Sequence, residues 1–68
     1  MPPFMFELQE DSPMVFQLKL AALIAAKVEG AELVDLKSQD GMMQMTFDKD
    51  IRQSLIVRVL EHLVGATA

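Results

Sequence analysis

Sixty-eight residues, half of them apolar (51%), with three glycines, three prolines and no cysteine, make one small domain spanning 1–68. This composition excludes a disordered tail, a collagen-like repeat and any disulfide or cysteine-held metal staple. Ten acidic residues against six basic ones give a net charge of −4, the bases are dispersed, and there is no Trp or Tyr. No nucleic-acid-binding surface is therefore expected.

From the N-terminus, Phe4, Phe6 and Leu8 alternate with Met5, Glu7 and Gln9, the period of a half-buried strand. The start Met1-Pro2-Pro3-Phe4 carries no signal-peptide pattern. Glu10-Asp11-Ser12-Pro13 ends the strand, and Ser12-Pro13 reads as an N-cap with proline at the first helical position. A helix over 13–29 follows, with Gly30 placed for a left-handed C-terminal residue. Its most apolar run, 18–28, is interrupted by Lys19 and Lys27 and is about half a bilayer span. A soluble, cytoplasmic protein that does not associate with membranes is expected.

The stretch 31–39 reads as a strand with Val34 and Leu36 on one face and Leu33, Asp35 and Lys37 on the other. Asp40-Gly41 signals a two-residue hairpin turn of type I′. The return strand, 42–48, sets Met43, Met45 and Phe47 against Met42, Gln44 and Thr46. Asp50 and Gln53 are spaced like a capping box opening a second helix, which is expected to stop at Gly65. Right-handed crossover places the first and third strands side by side. The fold class is thus α+β, a ferredoxin-like two-layer sandwich of order β-α-β-β-α, with the fourth strand absent or vestigial and the first strand open on one side.

In this order, and in the stretch VEGAELVDLKSQDGMMQMTFDKD with the closing helix IRQSLIVRVLEHLVG, the chain resembles the heavy-metal-associated domains of copper chaperones and metal-transporting ATPases. That family binds metal through Met-x-Cys-x-x-Cys between first strand and first helix. Met14 matches the methionine, but Phe16 and Lys19 stand where the cysteines would be. Both thiolates are missing, so no metal ligand and no cofactor is assigned.

Catalytic patterns are equally thin. His62 falls on a polar stripe with Ser54, Arg58 and Glu61, the serines lack a base with an orienting acid, and Glu10/Asp11 and Asp48/Asp50 sit where helix starts favour acids. Met42, Met43 and Met45 are soft enough for Cu(I), yet their alternation suits core packing. No enzyme is expected.

The helices carry the more informative pattern. In the first, Phe16, Leu20, Leu23 and Ile24 form one apolar stripe, and the opposite side, Leu18, Ala21, Ala22 and Ala25, is also uncharged. In the second, Leu55, Ile56, Val57, Val59, Leu60, Leu63 and Val64 spread over about 200° of the wheel, beyond the ~100° one packed face needs. With the bulky stripe of the first helix facing the core, the surplus forms an interaction surface of Leu18, Ala21, Ala22, Ala25, Val57, Leu60 and Val64. The expected function is a non-catalytic protein-interaction domain, a homodimer or the partner of another protein. The alternatives are metal handling with non-cysteine ligands and an adaptor or inhibitor docking on another protein.

Overall fold

The computed structural model describes residues 3–67, the side chains of residues 63, 66 and 67 apart. The elements run β1 (Phe4–Gln9), α1 (Val15–Glu29), β2 (Leu33–Gln39), β3 (Met42–Phe47) and α2 (Arg52–Thr67). The strands form one antiparallel sheet of order β1-β3-β2, so β1 and β3 are neighbours as the crossover rule requires. Both helices cover the same face of this sheet. The arrangement is α+β and ferredoxin-like, with no fourth strand among the described residues.

Local chemistry explains most element ends. Asp40 and Gly41 have φ of 55° and 77°, the pair of positive values that a type I′ turn needs. At the end of α1, Gly30 is left-handed (φ 69°, ψ 27°); its N–H bonds the Lys27 carbonyl and that of Ala31 bonds the Ala26 carbonyl, a Schellman closure. The start of α1 differs from the sequence expectation. Ser12 accepts from the Met14 and Val15 N–H groups in a turn, and the helix begins at Val15 with Met14, uncapped by any side chain, before it. Asp50 Oδ1 accepts the Arg52 N–H at 2.9 Å and caps α2. Gly65 does not stop that helix. Its φ is not positive, and glycine ends a helix only by turning left-handed, so α2 runs on to Thr67.

Register fixes the two faces of the sheet. Phe4, Phe6 and Leu8 stand opposite Phe47, Met45 and Met43, and residues directly opposite share a face. Leu33 and Leu36 of β2 stand opposite Phe47 and Met45, so they too belong to the helix-covered side. Leu33 had been expected on the other side. A bulge between Leu33 and Asp35 inserts one residue and flips it.

The core consists of Leu8, Met45, Phe47, Ile51 and Leu55 with the alanines of α1. That last group corrects the expected orientation of the helix. Ala21, Ala22, Ala25 and Ala26 face the core, while Phe16, Leu20, Leu23 and Ile24 are exposed. Small side chains let α1 approach both sheet and α2 closely. The Cα envelope is accordingly only 13 Å deep in its short dimension.

Candidate interaction surface

The two helices present a broad apolar outer face. On α1 it is built from Phe16 (67% exposed), Leu20, Leu23, Ile24 and Val28; on α2 it is Ile56, Val57, Leu60 (55% exposed) and Val64. A shallow groove of about 490 Å³ lined by Val57, Leu60, Glu61, Val64 and Gly65 marks the α2 half.

The interaction surface expected from the sequence divides between inside and outside. Val57, Leu60 and Val64 lie on the exposed face, and Leu18 is half-buried. Ala21, Ala22 and Ala25 are fully buried and cannot meet a partner. The stripe read as core takes their place. Sequence spacing shows that α1 has two apolar faces; it does not show which one turns inward.

A polar seam crosses this face where α1 and α2 meet. Ser54 Oγ donates to Glu29 Oε1 at 2.8 Å, and Arg58 Nη1 donates to Glu61 Oε2 at 3.0 Å. The Arg58 Nε is buried without a hydrogen-bond partner among the described residues. His62 is exposed and lines a small groove with Ile24, Arg58 and Glu61.

The other residues singled out in the sequence are held in structural roles. The Ser38 hydroxyl donates to Glu10, Asp48 accepts the Glu32 N–H at 2.9 Å, and Asp50 caps α2. Met43 and Met45 face the helices whereas Met42 is on the opposite side of β3, so the three thioethers do not converge. Among the described residues no group of three or more His, Cys, Asp or Glu side chains comes together. No described helix is long and apolar enough to cross a membrane.

The site is thus a two-layer α+β body whose helical layer is apolar on both sides. No family model, no curated protein and no solved structure matches this chain.

Proposed function

We propose that this chain is a small, non-catalytic interaction domain that self-associates through the outer faces of α1 and α2. The observation that carries this reading is the orientation of α1, which buries alanines and leaves Phe16, Leu20, Leu23 and Ile24 in water. A helix meant for solvent on its back shows a polar stripe there; this one shows its largest side chains. The accessible surface of 4747 Å² exceeds the roughly 4,300 Å² of a compact monomer of this mass. The nine outer residues together expose on the order of 900 Å² per copy, close to one side of a standard interface.

Charge favours a second copy as the occupant. Eight of the ten acidic residues lie outside the two helices, which themselves carry four bases and two acids. Two helical layers therefore meet without bringing the acidic parts of the chains together. Molar mass by light scattering after size exclusion, at micromolar concentration, tests the reading. The wild-type mass is expected at twice 7.6 kDa or more, halved in the double variant Leu20→Glu/Leu60→Glu. Equal masses for the two proteins refute it.

A further inference from the structure

Among the described residues the sheet has two open edges of different character. β2 has the marks of a guarded edge: the bulge between Leu33 and Asp35, and the charged pair Asp35 and Lys37, whose groups lie 3.9 Å apart. β1 has none of these. It pairs with β3 in unbroken register over all six residues and carries one charge, Glu7.

The core thins toward both edges of the sheet, at Leu33 and Leu36 of β2 and at Phe4 and Phe6 of β1. Phe4 and Phe6 point to the helix-covered face and pack, partly buried, against the core. α2 lies above the β1 side, with the Arg52 guanidinium 5.9 Å from the centre of the Phe4 ring. Ser54 reaches α1 through Glu29, so Ile56, about 200° further round the helix, faces away from α1. Ile56 is half-exposed. A backbone edge and an isoleucine are thus left open beside two partly buried aromatic rings.

We propose that the free edge of β1 pairs antiparallel with β1 of a second copy, about a two-fold axis passing through Phe6. Faces must match across the pair, which restricts the register. Centring on Glu7 sets two like charges opposite each other and is disfavoured. Centring on Phe6 sets Phe6 against itself, Phe4 against Leu8, and Met5 against Glu7, with no like-charge pair. In this register Pro3, which has no N–H, falls opposite Gln9, so the ladder stops there at both ends.

The axis is perpendicular to the sheet. It builds a continuous six-stranded sheet, three strands from each copy, with α2 beside α2 and Ile56 between them. All four helices then lie on one side. This edge shares only Ile56 with the outer helical face, and if both are used with their two-fold axes crossing at right angles the assembly closes on four copies.

The test uses the full chain carrying Leu20→Glu/Leu60→Glu, so that the helical face does not contribute. This protein is expected to retain twice the mass of one chain. Met5 is 51% exposed on the outer sheet face, and it is changed to Glu or to Lys. Met5→Glu places a carboxylate opposite Glu7 of the second copy twice per interface, whereas Met5→Lys places an opposite charge there. The dissociation constant of Met5→Glu is expected at least about tenfold above that of Met5→Lys. A monomeric parent, or equal constants for the two substitutions, overturns the proposal. Loss of the helical interface alone leaves this result unchanged, so the two readings fail separately.

Discussion

Ala22→Glu and Phe16→Glu place the same side chain on two faces of α1, and the structure assigns them opposite severities. Ala22 is 0% exposed, in a core without a buried polar or charged residue among the described ones. Glutamate there adds volume to a packed site, at about 1–3 kcal/mol, and buries a carboxylate with no partner, at several more. A chain of this size has roughly 3–10 kcal/mol of total stability, so the substitution removes most or all of it. Phe16 keeps about a third of its surface buried. Losing that contact costs roughly 2 kcal/mol at ~25 cal/mol/Å², partly offset by ~0.3–1 kcal/mol for an acid near a helix N-terminus.

Urea unfolding followed by circular dichroism at pH 7, with both changes in the Leu20→Glu/Leu60→Glu background and at one protein concentration, removes the helical-face contact and keeps pairing through β1 equal across the comparison. Ala22→Glu is expected to be largely unfolded, and Phe16→Glu to keep a midpoint near its parent. Burial raises the folded-state pKa of the new glutamate above its unfolded ~4.3. The ionisation part of the penalty is therefore relieved as pH falls through that raised value. A folded Ala22→Glu beside an unfolded Phe16→Glu means that α1 faces the other way, and refutes the orientation described here.

The glycines give a pair of opposite sign. Gly30→Ala forces a side chain into a left-handed residue (φ +69°) and lowers stability by about 1 kcal/mol. Gly65→Ala, inside α2 with open space around its Cβ, raises it by up to about 1 kcal/mol; thermal or urea midpoints read both. Asp50→Ala removes the bond to the Arg52 N–H and is expected to cost about 1 kcal/mol of stability in the same assay, while Asp50→Asn, which keeps an acceptor, costs less.

Element order was readable because its punctuation is strictly local. Asp40-Gly41 and Gly30 demand backbone conformations that few other residues adopt, and each appears where the sequence placed it. Leu33 was misplaced because a bulge is a property of two strands in register, and neither strand alone carries a sign of it. Gly65 was read as a stop because glycine permits a left-handed turn; it does not compel one.

The orientation of α1 was hidden for a different reason. A polar stripe normally breaks the tie between two faces, and this helix has none. Size then suggests that the bulky face goes inside, whereas close approach of α1 to both sheet and α2 requires the small one. Of the exposed apolar face, the α2 residues Val57, Leu60 and Val64 were legible, because the apolar arc of that helix is too wide to be buried whole.

The strand order separates the sequence in which the chain is made from the sequence in which it can fold. β2 and β3 are joined by a two-residue turn, and such hairpins close in about 1–10 μs. β1 pairs with β3 alone, which leaves α1, β2 and the turn to be synthesised between the two partners. Its ladder therefore carries the larger loop-closure cost and most of the non-local pairing. On the ribosome β1 emerges before β2 and β3 and waits for its partner with its backbone unpaired, at a synthesis rate of about 5–20 residues per second. Of the three strands, the one made before the others is thus the one whose pairing waits longest during translation.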